Sequence, residues 1–170
     1  MVTQQENGFQ IGILTLSDKG ARGEREDESG RLLGIMMSGL GETARYQIIP
    51  DDLDTIATVL KSWTDDLRLD VILTTGGTGL SPRDCAPQAT EAVLDYQIPG
   101  MAEAMRSESM KITARAMISR ALVGVRKQTL IINLPGSPKG ARENLAVLLP
   151  VLPHALAKLK GDPSDCAVSN

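Results

Sequence analysis

Val71-Ile72-Leu73-Thr74-Thr75-Gly76-Gly77-Thr78-Gly79 decides the fold of this chain. The first five residues are apolar or β-branched without polar alternation, the pattern of a strand buried on both faces of a helix-covered parallel sheet. The run passes with no spacer into a cluster of glycines. A sharp turn therefore stands at the carboxyl end of a buried strand, which is where open α/β sheets bind their ligands.

Working outward, residues 9–16 (FQIGILTL) form a second run of the same kind. The polar stretch 17–28 reads as a long loop. Leu32, Leu33, Ile35, Met36, Met37 and Leu40 then follow at helical spacing, with Gly41 as the stop. Residues 45–49 predict a strand ended by Pro50. Leu53, Ile56, Val59, Leu60, Trp63 and Leu67 make a helical stripe, with Asp51, Asp52 and Asp54 at its positive N-terminal end.

Downstream, the pattern predicts a helix over 87–94 and a polar, Met-rich helical arm over 101–119, exposed or interface-forming. Strands follow at 121–125 and 129–133, and a final helix runs over 141–149 and on toward Lys160. Alternating strands and helices predict an α/β three-layer sandwich with a mostly parallel sheet. The 121–125 strand is its one antiparallel member, and the ligand site lies at the carboxyl edge. One domain is expected over 9–160, with flexible segments at 1–8 and 161–170.

Composition fits that picture and excludes others. The 170 residues are 42% hydrophobic and 23% charged with a net charge of -3, a globular balance without the basic excess of a nucleic-acid protein. Aromatic residues at 2% provide no base-stacking platform. A single histidine, His154, on the apolar C-terminal stripe, removes His-rich metal sites. Cys85 and Cys166 match no metal spacing, and Cys85 reads as an inert small residue. No apolar run reaches the ~18 residues of a membrane span, and the N-terminus lacks a secretory pattern. A cytoplasmic protein with neither membrane nor nucleic-acid partner is expected.

Four loops gather at the predicted ligand edge: Ser17-Asp18, Ile49-Pro50-Asp51, Thr75 to Asp84, and Asn133 to Lys139. Successive glycines let backbone N–H groups face an anion, as in a phosphate nest. Alone, the cluster serves an ordinary strand-to-helix turn equally well. It is no dinucleotide fingerprint, because Pro82 stands where the third glycine belongs, and no P-loop, because no Lys-Ser or Lys-Thr follows. Asp51 and Asp84 flank the nest and suit a Mg2+ bridging carboxylates to phosphate. Each is also placed to cap a helix. Asn133-Leu134-Pro135-Gly136-Ser137-Pro138-Lys139 supplies a second anion loop, with Ser137 and Lys139 as donors ahead of a helix N-terminus.

Taken in order, Leu16-Ser17-Asp18, Ile49-Pro50-Asp51, Thr74 to Gly79, Arg83-Asp84, Pro87-Gln88-Ala89-Thr90 and Asn133 to Lys139 resemble the molybdopterin adenylyltransferase family and the N-terminal domain of gephyrin. The likeness spans residues 10–160. It implies Mg2+- and ATP-dependent adenylylation of molybdopterin with release of pyrophosphate, in molybdenum cofactor biosynthesis. It also implies a homotrimer and a molybdenum insertase as partner. The family's two functional carboxylates fall on Asp51 and Asp84, as catalytic residues and metal ligands. Its binding loops fall on Ser17, Asp18, Thr75, Gly76, Gly77, Thr78 and Gly79, and on Asn133, Pro135, Gly136, Ser137 and Lys139. A non-catalytic pterin-binding paralogue acting as a carrier is the alternative.

Overall fold

A computed structural model describes residues 8–163. The segments expected to be flexible therefore lie, in residues 1–7 and 164–170, outside the described residues, as does Cys166. The strands are β1 (Phe9–Leu16), β2 (Gly41–Ile49), β3 (Val71–Thr75), β4 (Tyr96–Gln97), β5 (Val123–Arg126) and β6 (Thr129–Leu134). They form one sheet in the order β2-β1-β3-β6-β5-β4. β1 pairs in parallel with β2 and β3, and β3 with β6. β5 runs antiparallel to both its neighbours.

The helices are α1 (Asp18–Ala21), α2 (Glu28–Met37), α3 (Leu53–Asp65), α4 (Ala86–Glu91), α5 (Pro99–Met110), α6 (Pro138–Leu148) and α7 (Leu152–Leu159). Alternate side chains of each central strand feed a different core, as strand geometry requires. Ile11, Ile13, Val71, Leu73, Leu130 and Ile132 face Leu33, Met37, Met105, Leu145 and Leu156 from α2, α5, α6 and α7. Leu14, Leu16, Ile72 and Ile131 face Ile56, Leu60, Trp63 and Ala89 from α3 and α4. Burial on both faces explains why these strands read as continuous apolar runs. The three layers are those expected.

Three local expectations give way to the structure. Gly41 does not stop a helix: α2 ends at Met37, and Gly41 opens β2. A Cβ there would stand 1.9 Å from the Phe9 carbonyl oxygen, so the glycine serves the close approach of β1 and β2. The predicted 101–119 arm breaks after Met110, and Thr113 then caps a short 3-10 helix, Ala114–Ile118. Nor is its first half an exposed arm, because Ala102 and Met105 are buried in the core. The polar 17–28 loop contains α1, capped by the Ser17 side chain.

Candidate functional site

The carboxyl ends of β1, β2, β3 and β6 bring all four predicted loops together. Gly76 and Gly77 adopt φ of 109° and 66°, a left-handed region open to glycine at little cost. A Cβ on Gly76 would stand 2.4 Å from the Leu16 carbonyl oxygen, so the turn passes directly over the end of β1. Thr75 Oγ1 donates to the Pro135 carbonyl at 2.7 Å, tying the two loops to each other. Ser29 Oγ at the start of α2 donates to the Gly136 carbonyl at 2.7 Å.

These loops enclose a cavity of about 460 Å³ whose lining includes Ser17, Ser29, Asp51, Gly77, Asp84 and Ser137. The N-termini of α2 and α6 open onto it, each adding partial positive charge. Ser17 and Ser137 accept their own helix amides, from Gly20 at 3.0 Å and Gly140 at 3.1 Å, and each keeps a hydroxyl proton for a ligand. A second cavity of about 250 Å³ shares Ser137 and includes Thr78, Gly79, Arg106, Ser109, Arg115 and Pro135. The Pro135–Ser137 loop is thus a common wall.

Neither carboxylate is a helix cap. Asp52, not Asp51, caps α3, accepting from the Thr55 amide at 2.9 Å. The residue preceding α4 is Cys85, which makes no side-chain cap bond, and Asp84 instead accepts from the Ser81 amide at 3.1 Å. Asp51 Oδ1 lies 3.2 Å from where a Cβ on Gly77 would stand, and Asp84 Oδ2 lies 2.9 Å from that of Gly79. Both carboxylates therefore abut the glycine turn.

Asp18 and Asp51 exchange backbone-to-carboxylate bonds: the Asp51 amide donates to Asp18 Oδ1 at 3.1 Å, and the Asp18 amide to Asp51 Oδ2 at 3.2 Å. Arg83 donates to Asp18 through Nε at 3.0 Å and Nη2 at 2.8 Å. That guanidinium, helped by the Asp51 amide, holds the Asp18 carboxyl below its usual range. Asp51 moves the other way. Burial raises its carboxyl, and the Asp18 and Asp84 charges add to the rise despite the Asp18 amide bond. Burial, then the neighbouring aspartates, also pushes the Cys85 thiol up, which disfavours its thiolate.

Burial raises the cost of charge on Asp51, which a nearby cation would offset. Among the described residues no group of three or more His, Cys, Asp or Glu could hold a metal by itself. Mg2+ commonly takes one or two carboxylates and completes its shell with substrate phosphates and water, so Asp51 and Asp84 fit a cation that arrives with phosphate.

Three predicted binding residues line neither cavity: Asp18, whose carboxylate is taken by Arg83 and the Asp51 amide, Asn133 and Lys139. Asn133 is fully buried; its amide donates to Thr74 Oγ1 and Thr90 Oγ1, both at 2.9 Å, and its Oδ1 accepts from the Leu122 amide. It pins β6 to β3 and α4 and offers nothing to a ligand. Lys139 lines neither cavity; its ammonium lies 3.9 Å from Glu143, while its neighbours Pro138 and Gly140 line one cavity each. Sequence reasoning missed Asp27, which caps α2 and accepts from Thr15 Oγ1 and Tyr46 OH, anchoring the loop that walls the larger cavity. It also missed Arg120, which stands between the expected 101–119 helix and the 121–125 strand. The Ser/Thr/Asp-to-helix spacing could have revealed Asp27; no local signal marks Arg120.

Residues 12–154 match the family model described as "Probable molybdopterin binding domain". Molybdopterin adenylyltransferase of Helicobacter pylori is 38% identical over 155 residues, covering 89% of this chain and 88% of that one. Gephyrin of Dictyostelium discoideum is 40% identical over 171 residues, covering 94% of this chain; the chain spans 24% of gephyrin's length. The crystal structure of the molybdopterin biosynthesis enzyme MoaB of Thermus thermophilus superposes with a TM-score of 0.85 at 52% identity, covering 92% of this chain and 99% of that one. With the glycine turn, the paired aspartates and the Pro135–Ser137 wall at one sheet edge, the chain belongs to the molybdopterin-binding domain family of molybdenum cofactor biosynthesis.

Proposed function

We propose that this chain is a molybdopterin adenylyltransferase, joining the adenylyl group of ATP to the terminal phosphate of molybdopterin and releasing pyrophosphate. The observation that carries the reading is the convergence of Asp51 and Asp84 on the glycine turn, in a cavity that two helix N-termini face. Two cavities with a common wall suit a reaction that joins two substrates.

In the transfer, an oxygen of the molybdopterin phosphate attacks the α-phosphorus of ATP. A new P–O bond forms as the bond to the bridging oxygen breaks, and pyrophosphate leaves with that electron pair. The attacking oxygen is already anionic, so no general base is needed. Catalysis is alignment and charge neutralisation. Asp51 and Asp84 would hold Mg2+, which neutralises phosphate charge when bound. The amides of Gly77 to Gly79 and the hydroxyls of Ser17 and Ser137 orient phosphate oxygens, the Gly76 amide and the Ser29 hydroxyl being taken by the Leu134 and Gly136 carbonyls.

The same reading includes a homotrimer in the cytoplasm that passes its product to a molybdenum insertase. The exposed apolar side chains of Leu80, Ile112, Met117 and Ile118 support self-association. A pterin carrier without transferase activity is the alternative reading. Incubation with molybdopterin, Mg2+ and ATP separates the two: a transferase yields adenylylated pterin by mass spectrometry, and a carrier returns the pterin unchanged.

A further inference from the structure

One guanidinium reaches both ends of the segment that carries Asp84. Arg120 Nε donates to the Gly79 carbonyl at 2.8 Å and Nη2 to the Asp84 carbonyl at 2.9 Å. Its backbone amide donates to the Thr78 carbonyl at 2.9 Å. Between those ends the segment folds back on itself: the Asp84 amide donates to the Ser81 carbonyl at 2.9 Å and the Ser81 amide to Asp84 Oδ2 at 3.1 Å. A rigid, planar fork that holds two carbonyls fixes their separation, which a single ammonium cannot do.

The same segment carries Arg83. Its guanidinium grips Asp18 through two bonds, and Asp18 exchanges two more with Asp51. The backbone of residues 83–84, gripped by Arg120 at the Asp84 carbonyl, thus carries the Asp84 carboxylate and, through the bonds of Arg83 to Asp18 and of Asp18 to Asp51, is linked to the second carboxylate. Arg120 itself lines neither cavity. It acts through other groups.

We propose that Arg120 is a positioning residue that sets the two carboxylates of the site, Asp84 directly and Asp51 through Arg83 and Asp18. The catalytic consequence rests on the adenylyltransferase reading; the positioning does not. Misplacement of aligned groups by about an ångström costs up to ~100-fold in rate, so a modest slackening of this segment is expressed in turnover.

The test uses the full chain with Arg120→Ala and Arg120→Lys. Amide hydrogen exchange at Asp18, Asp51, Ser81 and Asp84 is expected to quicken at least ~10-fold in the Ala variant, while Ile72 and Leu73 in β3 keep wild-type protection. The Lys variant is expected to fall between. In turnover with molybdopterin and Mg-ATP, Arg120→Ala is expected to lower kcat ~10- to 100-fold with KM values within about twofold, and to add little to Asp84→Asn, since groups acting as a unit are non-additive. Unchanged exchange at Asp18 and Asp51 would overturn the relay. So would loss of protection spread evenly over the sheet, which marks a structural arginine. A wild-type protein that makes no adenylate defeats the reaction reading alone, and the exchange measurement still decides the positioning.

Discussion

Asp51 and Asp84 differ from their acidic neighbours in what they do with their oxygens. Asp52 spends its carboxylate on a helix amide, whereas Asp51 and Asp84 turn theirs toward the glycine loop. Asn would satisfy the same backbone donors without the charge. Asp51→Asn and Asp84→Asn are therefore expected to keep the melting midpoint while slowing adenylate formation at least ~100-fold, about 2.7 kcal/mol of transition-state stabilisation. Thermal melts and single-turnover rates check this pair of outcomes. Wild-type turnover in either variant would reduce that residue to a structural role. The sequence singles out both positions but leaves capping open, because three aspartates open α3 and only the backbone path decides which one faces the helix. Asn133 went the other way: its place in a loop motif suggested a ligand, and a fully buried amide with every partner supplied by the fold shows a pin.

Between elements, the far end of the sheet from the site is held by charge. Arg126 at the end of β5 donates to Asp65 in α3 through Nε at 3.0 Å and Nη2 at 2.6 Å, and to the Val93 carbonyl at 2.9 Å. Lys127 adds a second cation at 3.0 Å. Bonds from Arg126, then Lys127, pull the Asp65 carboxyl from 3.8 to about 2. A depressed carboxyl pKa stabilises the fold above its unfolded value and loses that contribution as pH falls through the folded one. Asp65→Asn is thus expected to melt below wild type at pH 7, with the gap closing as pH drops from 3.8 toward 2. A gap that persists at the acid end would show that packing, not charge, is what the substitution removes. The apolar runs of β1, β3 and β6 made the central strands legible, since burial on both faces leaves an unbroken pattern. The two-residue β4 carried no such pattern, because it is set by pairing with β5, distant in sequence, and the 3-10 turn after α5 is too short to show one.

For the whole molecule, two cores cover both faces of the sheet and leave the carboxyl edge to the loops. Among the described residues, no helix is long and apolar enough to cross a membrane. Ile118, in the lining of the smaller cavity, and Met117 beside it are exposed apolar side chains. Light scattering at micromolar concentration is expected to return three times the 18.2 kDa chain mass, and a monomer mass would remove the trimer from the reading. The glycine turn, the two aspartates and the second anion loop were all legible as one edge, because topology requires strand ends to meet there. Arg120 was not, because it acts through bonds to a segment that only the fold brings near, and of Asp27 only the helix-capping role was legible, its bonds to Thr15 and Tyr46 being set by the fold.

The transfer itself is tested most directly by following phosphorus. Molybdopterin and Mg2+ are incubated with the protein and ATP labelled at either the α- or the γ-phosphorus, and the pterin fraction is counted. The α-label is expected on the pterin in step with release of unlabelled pyrophosphate, and the γ-label only in pyrophosphate. A pterin that binds the protein yet gains no α-label, or that gains the γ-label, would contradict adenylyl transfer at this site.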